Sequence, residues 1–343
     1  MNILVTGGLG FIGSHVCVEL LESDHQVVVV DNLENSKTEV IDNIKKITGR
    51  DIVFYNCDIT DFFSLNRIFT SHNFDAVMHF AGYKSVSESM DFSMKYFFNN
   101  LYGTMNLCDV MRNSGVKNLI FSSSATIYGI PEKTPIDENH RLSAISVYGE
   151  SKLKAEKYFE WLINSDKNWN VVSLRYFNPV GAHRSSLIGE EPSGEPNNLM
   201  PYINMVAARE IDKLKIFGND YPTKDGTGIR DYIHVTDLAS AHVLSLNLLF
   251  EDRTDNTMEV INIGTGKGYS VLDVINAFEE YNSVEVPYVF SKRREGDAAV
   301  SYADVTRANK KLDWKAEKTI KHMVIDSWRW KKKLMNSNGK LKK

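Results

Sequence analysis

Three side chains in this sequence could together move a proton and hold the resulting charge: the hydroxyl of Ser124, the phenol of Tyr148 and the ammonium of Lys152. Tyr148 and Lys152 are four residues apart, so a helix would place them on one face. Ala155, Phe159 and Leu162 continue an apolar stripe at helical spacing, and Ser146 stands where an N-cap is expected. A free phenol titrates at about 10, and a cation held beside it favours the phenolate. Tyr-x-x-x-Lys thus describes a general base usable near neutral pH, although an ordinary amphipathic helix carries the same spacing. The remaining elements have to decide between these readings.

The elements needed to position this set come in chain order. Residues 3–6 (ILVT) read as a buried strand, 7–13 (GGLGFIG) as a glycine turn, 14–21 as a helix, and 27–30 as a second strand ending at Asp31. Strand, glycine turn, helix, strand and acid is the start of a dinucleotide-binding unit. Gly7, Gly10 and Gly13 permit a tight turn and close approach to a pyrophosphate, which the helix N-terminus attracts. Asp31 is placed to accept hydrogen bonds from an adenosine ribose and would repel a 2′-phosphate, which favours NAD over NADP.

The alternation continues through residue 175. Residues 52–55 form a strand leading to Asp58, which could meet the adenine edge, and Asp61 can cap the next helix. Residues 76–80 form a strand with 81–84 (AGYK) at its carboxyl end, and 119–122 form the strand that delivers Ser124. Ligands of open α/β sheets bind beyond the carboxyl ends of strands. Asp58, residues 80–84 and residues 122–124 are therefore expected to face one crevice, Ser122 among the cofactor contacts. A long helical pattern runs from 94 to 111, within which Asn99 could reach the cofactor or brace Lys152.

This predicts an α/β fold: a Rossmann-type doubly wound parallel sheet over residues 1–180, and a smaller α/β substrate-binding region over 181–343. Residues 183–200 read as a loop. The six lysines within 331–343 read as a basic, frayed tail. Arg230 and Arg294, in the second region, suit a diphosphate because a guanidinium bonds phosphate in pairs.

The totals exclude several classes. With 43% hydrophobic and 24% charged residues, the chain reads as an ordinary globular protein. A net charge of −4 gives no reason to expect a nucleic-acid or membrane partner. The cysteines at 17, 57 and 108 form no CxxC pair, consistent with a reduced, cytoplasmic protein. The nine histidines show no HxxxH or HExxH spacing, so no metal site is expected. No apolar run approaches a membrane span, and no leader is apparent at the N-terminus.

Taken together, TGGLGFIGSH, VVDNL, HFAG, FSSSATIYG, YGESK, LRYFNPVGAH, PNNLMPYI, IFGNDYPTKDGTGIRDYIHV, GYSVLDV and RREGD resemble the extended short-chain dehydrogenase/reductases. Within them the chain is similar to the UDP-hexose 4-epimerase family, over residues 5 to about 304. The resemblance implies NAD lined by Gly7, Gly10, Phe11, Ile12, Asp31, Asn32, Asn35, Ser36, Asp58, Ile59, Phe80, Ala81, Gly82, Lys84 and Asn99, with Phe177 shielding the nicotinamide. It implies Ser124, Tyr148 and Lys152 as the catalytic set. It implies a UDP-sugar held by Asn178, Asn198, Leu199, Ile216, Phe217, Arg230, Tyr232, Arg294 and Asp297. It also implies a homodimer through the helices around 95–113 and 150–164.

Two positions narrow the chemistry. Related 4,6-dehydratases carry Asp-Glu directly after the hydroxyl residue, and related decarboxylases place a glutamate nearby. Here Ala125 and Thr126 occupy those positions. A uronate 4-epimerase shares the catalytic set, but residues 198–232 resemble the hexose enzymes. A non-catalytic NAD sensor of this fold would be expected to lose the Tyr/Lys pair. Ser301, four residues after Asp297, stands where members restricted to glucose and galactose have a tyrosine. Its small side chain leads to the expectation that UDP-N-acetylhexoses are accepted as substrates as well.

Overall fold

The computed structural model describes residues 1–192, 194, 196, 198–251, 257–294 and 296–337. Six strands form in the order expected: β1 (Asn2–Thr6), β2 (Gln26–Asp31), β3 (Val53–Asn56), β4 (Ala76–His79), β5 (Asn118–Ser124) and β6 (Asn170–Tyr176). A second group comes after them: β7 (Asn178–Val180), β8 (Leu214–Phe217), β9 (Ile229–His234), β10 (Glu259–Ile263), β11 (Gly268–Ser270), β12 (Tyr288–Ser291) and β13 (Val300–Ser301). The large sheet has the order β3-β2-β1-β4-β5-β6-β10, and every pair in it is parallel. This is the doubly wound α/β arrangement expected from the alternating elements.

Continuous apolar runs suit strands buried on both faces. Alternation then divides each strand between two cores. Ile3 and Val5 of β1 enter one core with Val29 and Ile120, while Leu4 enters the other with Val28, Val77 and Phe121. The order reverses at β1, which lies between β2 and β4, so a crevice opens beyond the carboxyl ends of β1 and β4.

The chain after residue 180 does not stay in a separate region. β7, β11 and β13 surround β9 in a small sheet, and β8 pairs with β12. A core containing Ile203, Ile216, Tyr232, Phe278 and Met323 supports them. The helix Val235–Leu249, however, packs against the helix Phe11–Glu22, and β10 pairs along β6. The physical reason is burial: Val171, Val172 and Leu174 of β6 would otherwise lie on an open sheet edge. The expected division at 180 falls at the end of β7, the first strand of the small sheet, and β10 crosses back to complete the large one.

The helical pattern over 94–111 holds three segments, Ser93–Tyr96, a π-helical stretch Phe97–Tyr102, and Gly103–Asn113. A π turn inserts one residue and rotates the rest of the helix about its axis. Here it lies against the helix Val147–Ser165 and turns Asn100 inward, leaving it 3% exposed. Among the described residues no helix is long and apolar enough to cross a membrane.

Candidate active site

β5 ends in three serines, and each hydroxyl has a different task. Ser122 bonds the hydroxyl of Tyr176. Ser123 donates to Glu156 at 2.6 Å. Ser124 accepts from the Thr126 N–H at 3.2 Å and the Thr126 hydroxyl at 2.9 Å, capping the short turn Ala125–Tyr128. The helix Val147–Ser165 starts at Ser146, whose hydroxyl accepts from the Gly149 N–H at 3.1 Å. Ser89 takes the Tyr148 N–H at 3.1 Å, which fixes the first turn further.

This start directs the Tyr148 phenol toward Ser124, whose hydroxyl favours its ionised form. Lys152 stands one turn later, buried, with its ammonium 4.7 Å from the centre of the Phe121 ring. A Cβ added to Gly82 would come within 3.7 Å of that ammonium. Burial raises the Tyr148 phenol above its ordinary value, and the Ser124 hydrogen bond opposes the rise. The expectation that Lys152 lowers this phenol is therefore corrected: burial raises it, and Lys152 is not among the groups that shift it. Desolvation outweighs the favourable contact, and the Lys152 charge lies over Phe121. Burial also pushes Lys152 down to about 8, with Glu156 opposing.

The glycine turn suits a dinucleotide in its backbone and its polar groups. Gly7 has φ +68°, and a Cβ there would lie 2.6 Å from the Ala81 nitrogen. A Cβ on Gly13 would lie 2.2 Å from the Gly7 carbonyl oxygen, so neither position tolerates a side chain. The helix beginning at Phe11 and Ile12 has no side-chain cap and no acid in its first turn, which leaves its N–H groups open to an anion. Asp31 holds the turn together, accepting from the Leu9 N–H at 3.1 Å, the Leu33 N–H at 3.0 Å and the Ser36 hydroxyl at 2.7 Å. Asn32 donates to Asp58 at 2.9 Å. Asn35 is exposed on the same loop.

Not every expected cofactor residue faces the crevice in the same way. Ile59 is buried in the second core and meets Gly103. The ring of Phe80 packs on His242 at 4.8 Å. Asn99 donates to Asn100 at 3.0 Å, and it is Asn100 that grips the Tyr83 backbone at both ends and reaches Ser151. Lys84 pairs with Glu190 at 2.6 Å.

The expected substrate residues gather around the small sheet. Asn178 stands opposite Tyr232 on β7 and β9, and Asn198 precedes the helix Leu199–Ala207. Ile216 and Phe217 end β8, and the Arg294 guanidinium lies 4.1 Å from the centre of the Phe217 ring. Arg230 pairs with Asp297, which brings two residues expected to hold one ligand together. Ser301 stands opposite Arg230 on β13. Phe177 packs with Ile127, Tyr128, Ile136 and Ala303 between the two sheets. Glu295, within the RREGD run, lies outside the described residues. No group of three or more His, Cys, Asp or Glu among the described residues could hold a metal ion.

Comparison with known proteins places this geometry in a family. A family model described as GDP-mannose 4,6 dehydratase matches residues 4–327. A UDP-glucose 4-epimerase of Bacillus subtilis is 50% identical over 336 residues, covering 98% of both chains. The chain belongs to the UDP-glucose 4-epimerase family. The solved epimerase of Stenotrophomonas maltophila, with bound NAD and formylated UDP-arabinopyranose, is 47% identical with a TM-score of 0.95, covering 98% of this chain and 99% of that one. The epimerase of Bifidobacterium longum, in complex with NAD+ and UDP, is 44% identical with a TM-score of 0.93, covering 99% of each.

Within this epimerase fold, three residues near the expected site escape sequence reading. Asn100 is displaced from a regular helical position by the π turn. Glu190 lies in a stretch whose composition reads only as a loop. Glu156 extends the Tyr148–Lys152 face by one more turn, and its carboxylate accepts from Ser123, Ser173 at 2.8 Å and Arg175 at 3.0 and 2.5 Å. The one signal for it in the sequence is the i, i+4, i+8 spacing.

The depressed Lys152 gives a prediction with a definite sign. Its folded value of about 8 lies below the ordinary 10.5, so between these values the unfolded chain binds more protons and stability rises with pH. Wild type is expected to gain stability relative to Lys152→Met from pH 8 to 10.5, by at most about 3 kcal/mol. Urea unfolding of both proteins across that window measures the difference, and a flat difference would contradict the assignment.

Proposed function

We propose that this chain inverts the configuration at C4 of UDP-hexoses through a transient 4-keto sugar, using tightly bound NAD. The observation that carries the reading is the Tyr148 phenol set toward Ser124 at the end of β5, with Lys152 buried one turn on in the same helix. Ala125 and Thr126, in place of an acidic pair, favour epimerisation over loss of water.

In this mechanism Tyr148 removes the proton of the sugar 4-hydroxyl, and Ser124 bonds the same oxygen and relays the proton. Lys152 keeps its proton below about pH 8, and its positive charge favours the phenolate as Tyr148 gives up its own. NAD, when bound, supplies a reversible acceptor for the hydride at C4. Gly7, Gly10, Gly13 and the N–H groups of Phe11 and Ile12 hold its pyrophosphate, and Asp31 its adenosine ribose. Asn178, Asn198, Arg230 and Arg294 hold the UDP while the sugar is left free to turn. Remote binding energy thus retains an intermediate whose reacting end must move.

Purified protein given UDP-galactose and no added reductant is expected to yield UDP-glucose by proton NMR. Tyr148→Phe should lower that rate by roughly 100-fold or more. A 4-keto-6-deoxy product would instead mark a dehydratase, and NAD-bound protein inert toward every UDP-sugar would mark a sensor.

The reading extends to N-acetylated UDP-hexoses. Ser301 pairs with Arg230 on β9, and Ala303 two residues on packs with Phe177 and Ile127, which supports Ser301 as a neighbour of the sugar. A hydroxymethyl group there leaves space that a phenol would fill. Ser301→Tyr is expected to abolish UDP-N-acetylglucosamine turnover and spare UDP-glucose. Undiminished N-acetyl turnover would remove Ser301 as the determinant.

A cytoplasmic homodimer completes the proposal. The three cysteines are free and buried, which suits a reducing compartment. Met94, Phe98, Tyr102 and Met105 form an apolar line on one helical face, and Trp161 is 74% exposed on the helix Val147–Ser165 beside it. So much exposed apolar surface supports a second copy as its cover. Phe98→Glu should halve the mass seen by light scattering, and an unchanged mass would place the contact elsewhere.

A further inference from the structure

The segment 181–190 is built as a rigid clasp whose base and tip are fastened to one helix. The Gly181 N–H donates to Ser327 at 3.1 Å, and the Trp330 indole N–H donates to the Glu190 carbonyl at 2.9 Å, both from the helix Ile320–Ser337. An Ala182–Gly189 bridge closes the segment, and the His183 N–H donates to the Ile188 carbonyl at 3.1 Å. A Cβ on Gly189 would lie 2.6 Å from the Trp330 ring, so glycine is required where the chain passes it. This fastening delivers the Glu190 side chain, only 10% exposed, to the space between the two regions.

One oxygen of that carboxylate serves two partners. It accepts from the Lys84 ammonium at 2.6 Å and from the Asn198 amide at 3.1 Å. Lys84 stands after β4 beside the glycine turn, its ammonium 5.9 Å from the centre of the Phe11 ring. Asn198 opens the helix Leu199–Ala207 on the substrate side. We infer that Glu190 is a positioning residue for both ligands: through Lys84 and Asn198 it holds the NAD and UDP sites in one arrangement and slows release of NAD. This rests on the reading that Lys84 and Asn198 line those two sites. A ligand that strengthens one contact then favours the other, as reciprocal coupling requires. The neighbouring pair Lys37–Glu191, at 2.6 Å, is much more exposed and is expected to add little.

The test compares Glu190→Gln, Glu190→Ala, Lys84→Met and, as a control, Glu191→Gln. NAD retained after gel filtration is measured in each, with UDP affinity by calorimetry and the thermal midpoint. Glutamine keeps an acceptor for Asn198 but loses the charge for Lys84. It should speed NAD loss by about tenfold, the scale of one charge-assisted hydrogen bond, with UDP affinity almost unchanged. Glu190→Ala should weaken both ligands, Lys84→Met should lose NAD at least as fast as Glu190→Gln, and adding Glu190→Gln to Lys84→Met should speed the loss no further. Glu191→Gln should match wild type.

Wild-type retention of both ligands by Glu190→Ala would overturn the inference. So would losses that merely track a lower thermal midpoint, or additive effects of Glu190→Gln and Lys84→Met. Should the Glu190 variants fail to fold, Asn198→Ala decides: it leaves Lys84 in place on the NAD side, so faster NAD loss in it supports coupling through Glu190 and wild-type NAD retention overturns it. A wild-type protein that binds neither NAD nor UDP would instead defeat the reading of the sites.

Discussion

The carboxylate of Glu156 ties together the three elements on which the candidate chemistry depends. It extends from the helix carrying Tyr148 and Lys152, accepts from Ser123 on β5, and accepts from Ser173 and Arg175 on β6. Arg175 and Glu156 are both buried, so their desolvation is tolerable only because the carboxylate is so fully bonded. Arg175 continues the chain of bonds to Tyr128, which donates to Asn262 on β10. A shift of the helix along the sheet would break several of these bonds at once. The Tyr148–Ser124 contact therefore rests on a buried polar network directly behind it.

Burial acts in opposite directions on the two reactive groups. It makes the Tyr148 phenol harder to ionise and the Lys152 ammonium easier to discharge. Both shifts favour neutral forms, because burial penalises the charged form of each group. His79, buried below the crevice and held between Thr6 and Thr104, is likewise driven down to about 3 by burial, with Lys152 adding to the effect. On the substrate side, Arg230 and Asp297 are paired with each other.

The parts legible in the sequence were those governed by local rules. The runs ILVT and VVVV, the glycines at 7, 10 and 13 and the acid at 31 each imply a neighbour within a few residues. The structure carries them as β1, turn, helix and β2. The caps at Asp61 and Ser146 arise from the same short-range chemistry. The π turn was not legible, because an inserted residue leaves the apolar pattern of 94–111 almost intact. The return of β10 to the large sheet was also hidden, since nothing in residues 259–263 names β6 as their partner.

What the sequence by itself determined is the order of the strands and helices and the placing of Ser124, Tyr148 and Lys152 at their ends, because periodicity and capping act within a few residues. The tertiary structure decided how those groups are surrounded. Burial set the direction of the Tyr148 and Lys152 shifts, and Glu156 found Arg175 across a strand. Glu190 reached both Lys84, 106 residues away, and Asn198, eight residues away. These depend on desolvation and on contacts between distant segments, which exist only once the chain has closed on itself.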